Sequence, residues 1–450
     1  MTTIHASHAL LPTGWTGDVR LSLEDGRITR LETGVDRQAG DERHAILLPA
    51  MPNVHSHAFQ RGMAGLAEVR GPGSDSFWSW REVMYRFALT MTPDDVEAVA
   101  AQLYVEMLEA GFNRVGEFHY LHHQPDGQPY ADLGELASRI ASAARETGIA
   151  LTLLPVFYAH SGFGGGAPNE GQRRFINTRD QFAALVERCE TLTDALPNGV
   201  TGLAPHSLRA TTPDELDWLA ALRPNKPIHI HIAEQVKEVE DCLAWSGQRP
   251  VQWLLDHQAV DNRWCLIHAT HMSEQETRAM ARTGAVAGLC PITEANLGDG
   301  IFEGVAFAEA GGAIAIGSDS NVEIGVGAEL RAMEYAQRLK HRGRNMLVDP
   351  GKSNGAALFN RALCGGAQAL GVESGLQEGA AADFVSLQAD DVALAGRAGD
   401  AILDAWIFSG RPLVDCVWVN GHKQVQAGRH AKREVIAQRF TRTIERLLSW

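Results

Sequence analysis

Pro227-Ile228-His229-Ile230-His231-Ile232-Ala233-Glu234 is the stretch from which the fold of this chain is read. Isoleucine at every second position in so short a run predicts a buried strand. His229 and His231, two apart, then share one face, and Glu234 falls just past the strand end. Four further clusters follow the same plan. They are His55-Ser56-His57, Pro205-His206-Ser207-Leu208-Arg209, Leu266-Ile267-His268 and Ile316-Gly317-Ser318-Asp319, each in or just after a short apolar run. Histidines and a carboxylate at several strand ends can meet only where parallel strands converge. The C-terminal face of a (β/α)8 barrel provides that convergence.

Working outward, strands are expected before His55 (the apolar run Ala45 to Pro52), at Arg114–Phe118, Ala150–Val156, Val200–Ala204, Pro227–His231, Trp264–His268, Ala285–Cys290 and Ala313–Gly317. Helices of roughly 10 to 18 residues fit between them. The stretch from Thr92 to Ala110 is one, with a Thr-Pro start signal. Eight strands alternating with helices is the count of a barrel. The chain ends read differently. Alternating apolar residues on both sides of Asp25-Gly26 predict a hairpin, and strands are expected again at Ala382–Leu387 and Asp415–Gly421. The predicted class is therefore α/β. A TIM-like (β/α)8 barrel over residues 50–375 carries a small β-sandwich domain, built from residues 1–49 and from 376–450 with a terminal helix.

Bulk properties narrow the function. The 450 residues are 45% hydrophobic and 21% charged, ordinary values for a globular protein. A formal charge of −15 without basic clusters argues against a nucleic-acid partner. No apolar run approaches the roughly 20 residues of a membrane helix, and no signal peptide is evident, so a cytoplasmic enzyme is expected. The six cysteines form no Cys-x-x-Cys pair, which fits a reducing compartment and a cysteine-free metal site. The glycine-rich run Gly162 to Gly166 lacks the Lys-Ser/Thr of a phosphate-binding loop and reads as a flexible loop, a candidate to close over a pocket.

His55-x-His57 on an extended segment can chelate one ion. Alone, among 18 histidines, that spacing is weak. With His231 and Asp319 it makes three imidazoles and one carboxylate, a set that suits one divalent ion, zinc above all, with iron and manganese also compatible. No lysine lies in a candidate strand before His231, which favours one metal over a bridged pair. Glu234 is placed to shuttle a proton, and its bland alternative is a solvated first-turn glutamate. His268 can orient an attacking water or stabilise charge, and Asp319 can both bind metal and accept a proton. His229, His268 and His271 each have a bland reading as satisfied buried histidines, and Asp319 one as a helix cap.

His55-x-His57, His231-x-x-Glu234, His268 and the Gly317-Ser318-Asp319-Ser320-Asn321 run resemble the amidohydrolase superfamily in its mononuclear deaminase branch. The run Gly375 to Val385 and Val417-Trp418-Val419-Asn420-Gly421 resemble its C-terminal β portion. A narrower likeness, to bacterial deiminases of histidine degradation, rests on Met51 to Gly62, Phe77 to Tyr85, Gly116 to His123 and Ala204 to Arg209. The resemblance implies a metal held by His55, His57, His231 and Asp319, with Glu234, His268 and Asp319 serving the chemistry. It also implies a substrate site lined by Gln60, Arg81, Tyr120, His206 and Arg209, and a homodimer. The implied reaction is hydrolysis of the formimino group of N-formimino-L-glutamate to N-formyl-L-glutamate and ammonia. That substrate is a dicarboxylate, and a guanidinium from Arg81 or Arg209 suits each carboxylate. Both arginines are expected in loops after barrel strands. Deamination of an aromatic heterocycle by the same machinery is the nearest alternative, and a non-catalytic metal-binding scaffold a more remote one.

Overall fold

The computed structural model describes residues 2–70 and 77–449, and of residues 77–79 the backbone alone. Two parallel sheets carry the barrel. One runs Met51–Ser56, Phe112–His119, Ala150–Phe157 and Val200–Thr201, with Ala204–Pro205 also paired to the third strand. The other runs Ile228–Ile232, Trp264–His268, Val286–Leu289 and Ala313–Ile316. Single parallel bridges join them at both seams. Leu203 bridges Ile228 and Ser207 bridges His231 on one side, and Ser56 bridges Asp319 on the other. The circuit therefore has eight strands, and the helices between them cover its outside.

The fourth strand is interrupted at Gly202, where a Cβ would lie 2.6 Å from Leu154 Cδ2 and 2.9 Å from the Pro227 carbonyl oxygen. The expected strand before His55 is two strands. Glu42–Pro49 pairs in parallel with Thr2–Leu11, and Met51–Ser56 pairs with Phe112–His119. The chain passes from one sheet to another at Ala50, inside one unbroken apolar run, so hydropathy could not mark the change. The helix Pro93–Glu109 starts at Thr92, whose side chain and that of Asp95 form a reciprocal capping box.

Both chain ends meet in one eight-stranded sheet. Its edge strand Arg27–Glu32 curls back until Arg27 bridges Ala381, so the layers of the sandwich are halves of a single sheet around an apolar core that includes Ile4, Leu21, Phe384 and Trp418. The hairpin turns at Asp25 and Gly26, both with left-handed φ (48° and 78°), as a two-residue turn of this twist requires. Residues past 376 also reach the barrel. Helix Asp400–Ser409 packs on Asn354–Ala369, and helix Arg433–Leu447 packs on Pro93–Glu109.

Inside the barrel the lower layer is largely apolar, with His229 and Thr152 set into it. Val54, Cys265, Ile267, Val286 and Ala315 pack with Ala369 and Leu370 from the end of the helix that plugs the bottom. No helix among the described residues is long and apolar enough to cross a membrane.

Candidate metal centre and active site

The strand Ile228–Ile232 points two imidazoles inward at different depths. His229 lies low, its Nε2 2.7 Å from the Ala369 carbonyl oxygen. His231 lies at the top, its Nε2 3.0 Å from His55 Nε2. His55 Nε2 is also 3.2 Å from His57 Nε2. Asp319 Oδ1 stands 3.5 Å from His55 Nε2 and 3.3 Å from His57 Nε2.

The tautomers follow from the other ring nitrogens. His57 Nδ1 is 3.0 Å from the Phe118 carbonyl and His231 Nδ1 3.0 Å from the His206 carbonyl. A carbonyl only accepts, so each Nδ1 carries the proton and each Nε2 presents a bare lone pair. Burial lowers the pKa of all three imidazoles, His55 to about 3, and keeps them neutral. The lone pairs of His57 Nε2 and His231 Nε2 converge on His55 Nε2, with the Asp319 carboxylate beside it, so the cluster holds more electron-pair donors than protons to share among them. A divalent cation at their centre would coordinate these atoms, so the donor set fits such an ion. Burial alone would raise the pKa of Asp319, but His55, His268 and His57 hold it below the usual carboxylate range.

The backbone is bent to bring these atoms together. Ala233, His268 and Asp319 have φ of 51°, 67° and 45°, in the left-handed region sparsely used by residues other than glycine. Each lies at a strand end where the chain turns over the barrel mouth. Gly317 lets the last strand close on the first, since a Cβ there would sit 2.8 Å from His55 N. Asn321 holds the seam, its Nδ2 donating to the Asp319 carbonyl at 2.7 Å and the His57 carbonyl at 3.2 Å. Ser318 Oγ donates to Asn321 Oδ1 at 2.6 Å and accepts from Asn53 Nδ2 at 2.7 Å.

His268 Nε2 lies 3.8 Å from both Glu234 Oε1 and Asp319 Oδ2, and its Nδ1 lies 3.3 Å from Glu294 Oε1. Burial disfavours its charged form, but Glu234, Glu294 and Asp319 outweigh burial and raise it to about 10. Burial pushes Glu234 up to about 7, against the pull of His268. Glu238 accepts hydrogen bonds from the Ala233 and Glu234 amides and so fixes the turn that carries Glu234.

Above this cluster lies a cavity of about 60 Å³ that opens to solvent. Of the residues singled out from the sequence, His57, Gln60, Arg81, Tyr120, His206, Arg209, His231, Glu234, His268 and Asp319 all line it, and His55 sits beneath. Arg209 occupies the turn after Ala204–Pro205, with a buried Nε that has no hydrogen-bond partner among the described residues. Arg81 lies on the helix Phe77–Thr90 rather than in a loop, its guanidinium 5.5 Å from the Tyr85 ring centre. The long connection after the first strand folds into that helix, so an arginine far from the strand end still reaches the mouth. His271 stands apart, its Nε2 bonded to the Asp299 carbonyl. Asp319 caps no helix, since the next one begins at Val326 behind Gly325.

The reading from sequence missed much of the cavity wall, including Tyr158, Met84 and Phe175. Tyr158 follows the strand Ala150–Phe157 directly, a signal that could have found it. Phe175 arrives from a long loop and carried none. The glycine-rich run is tethered by Phe163, which stacks on Trp245 with ring centres 5.5 Å apart.

Comparison with known proteins agrees with this geometry. Residues 46–423 match the model of the amidohydrolase family, and residues 1–45 match that of the formimidoylglutamate deiminase HutF N-terminal domain. The chain belongs to the amidohydrolase family. It is 50% identical to a formimidoylglutamate deiminase of Pseudomonas aeruginosa, over 100% of both chains. A crystal structure of an amidohydrolase from Brucella melitensis superposes with a TM-score of 0.98 at 60% identity, over 100% of both chains. An adenosine deaminase from Xanthomonas campestris with bound zinc shares the fold, with a TM-score of 0.83 at 20% identity over 100% of this chain and 99% of that one.

Proposed function

We propose that this chain hydrolyses the formimino C=N bond of N-formimino-L-glutamate, releasing ammonia and leaving N-formyl-L-glutamate, as a step of histidine degradation. The observation that carries the reading is the pairing, in one cavity, of converging imidazole lone pairs with a buried acid on one side and two guanidiniums on the other. The full-length likeness to the Pseudomonas aeruginosa deiminase supports the substrate.

In this reading His55, His57, His231 and Asp319 hold one divalent ion, zinc by preference. When bound, the ion acts as a Lewis acid that lowers the pKa of a water. Asp319 orients that water and accepts its proton, while His268, held in its charged form by Glu234, Glu294 and Asp319, donates a hydrogen bond that stabilises developing negative charge. Glu234, held protonated to about pH 7 by burial, delivers a proton to the departing nitrogen. Arg209 and Arg81 clamp the two carboxylates, with Gln60, Tyr120 and His206 completing the substrate wall. Residues 50–375 form the catalytic barrel, and residues 1–49 and 376–450 the β domain. The enzyme works in the cytoplasm as a homodimer, which light scattering on the purified protein tests.

The test is ammonia release from N-formimino-L-glutamate by metal-loaded protein, with Glu234→Gln as control. Release by wild type alone supports the reading. Silence from folded, metallated wild type sinks it. One observation favours a rival: the ring faces of Tyr85, Tyr158 and Phe175 could stack a heterocyclic amine. A panel of nucleosides and free bases separates the two. A non-catalytic scaffold has no use for Glu234 and His268 beside the ion.

A further inference from the structure

Glu117 is a fully buried carboxyl that the proposed chemistry does not use. It lies on the second barrel strand, in register with Ser56, and its side chain faces away from the cavity. Its Oε1 accepts from the Ala58 amide at 2.6 Å and its Oε2 from the Tyr104 hydroxyl at 3.2 Å, while Ser56 supplies a third hydrogen bond. Among the described residues no Lys or Arg pairs with it. The next residue, Phe118, holds His57 through its carbonyl. Two adjacent residues thus grip the His57–Ala58 turn at two points, one through a side chain and one through the backbone. Ser56 also accepts from Asn321 Nδ2, the atom that reaches the Asp319 carbonyl.

We propose that Glu117 is a positioning residue of the metal centre, which aims the His57 imidazole and ties the His55–Ala58 segment to Asp319. The inference rests on the ligand set proposed above. Burial pushes Glu117 up to about 8, with its three donors opposing that rise. A cation at the nearby cluster is the countercharge that favours its ionised, accepting form.

The test is Co²⁺ affinity, by competition with a chelator, together with the visible spectrum of the bound ion. Glu117→Ala weakens affinity about 10- to 100-fold and changes the spectrum. Glu117→Gln, whose carbonyl can still accept from Ala58, restores most of both. Should Glu117→Ala fail to fold, Glu117→Asp carries the same test, because its shorter side chain withdraws the carboxylate from the Ala58 amide. Wild-type affinity and spectrum in Glu117→Ala, or no rescue by Gln, overturn the role. If wild type takes up no Co²⁺, the ligand set falls as well, which distinguishes the two failures.

Discussion

His229 and His231 lie two residues apart on one strand, face the same barrel interior and are almost equally buried. Their chemistry differs because the barrel has two ends. At the bottom, His229 meets a helix carbonyl and an apolar plug, and burial there outweighs the carbonyl and keeps it neutral. At the top, His231 donates to the His206 carbonyl and turns its free lone pair toward the imidazoles of His55 and His268. Burial and residue type do not tell these two histidines apart. What distinguishes them is whether the second ring nitrogen meets another donor set.

Replacement of each histidine breaks the comparison most sharply. His231→Ala is expected to lose tight metal binding and to lower kcat/KM by at least about 10⁴-fold. His229→Asn keeps metal content and kcat, and costs roughly 1–3 kcal/mol of stability through its orphaned partner. Metal analysis, kinetics and denaturant melts decide between them. Equal metal loss in both variants would mean that depth in the barrel does not separate the roles.

Glu234→Gln sharpens the difference within the top layer. It retains the ion and loses about 10³-fold in kcat, since it removes a proton donor and no ligand. Arg209→Met leaves metal and kcat less affected and raises KM about 10- to 100-fold, the worth of one charge-assisted pair. A substrate analogue with one carboxylate deleted should be less sensitive to that change in steady-state kinetics.

A pH dependence belongs to the bottom of the barrel. Burial depresses the pKa of His229 from 6.5 to about 4. A group depressed in the folded state stabilises the fold above its unfolded pKa, and that stability is lost as pH falls. The loss runs from about 6.5 to about 4 and amounts to roughly 3 kcal/mol. His229→Asn should therefore show a shallower fall of Tm across that window. An identical slope in both proteins would show that other groups dominate acid unfolding.

Residue pattern carried the parallel alternation, the His-x-His pair and the acid after His231, because strand period and strand-end chemistry are local. It did not reveal that the run through Pro49 divides between two sheets, since both sheets bury apolar residues. It placed Arg81 in a loop, because an excursion that folds into its own helix has no signature at the strand it follows. It left out Tyr158, Met84 and Phe175, whose place in the cavity wall comes from where their side chains point. The Asn53–Ser318–Asn321 stitching joins residues 265 apart or more, and no local reading couples them.

The sequence by itself determined the period of each element, the class of fold and the donor types available at the strand ends. Period and hydropathy are properties of neighbouring residues, and a metal's preference for nitrogen and oxygen donors is a property of side chains. Only the tertiary structure decided which imidazoles face one another and which tautomer each takes. It also decided which buried carboxyl accepts from the amide after His57. Those outcomes depend on closing the barrel at two seams and bending three strand ends into left-handed backbone, and both are settled by contacts between residues far apart in the chain.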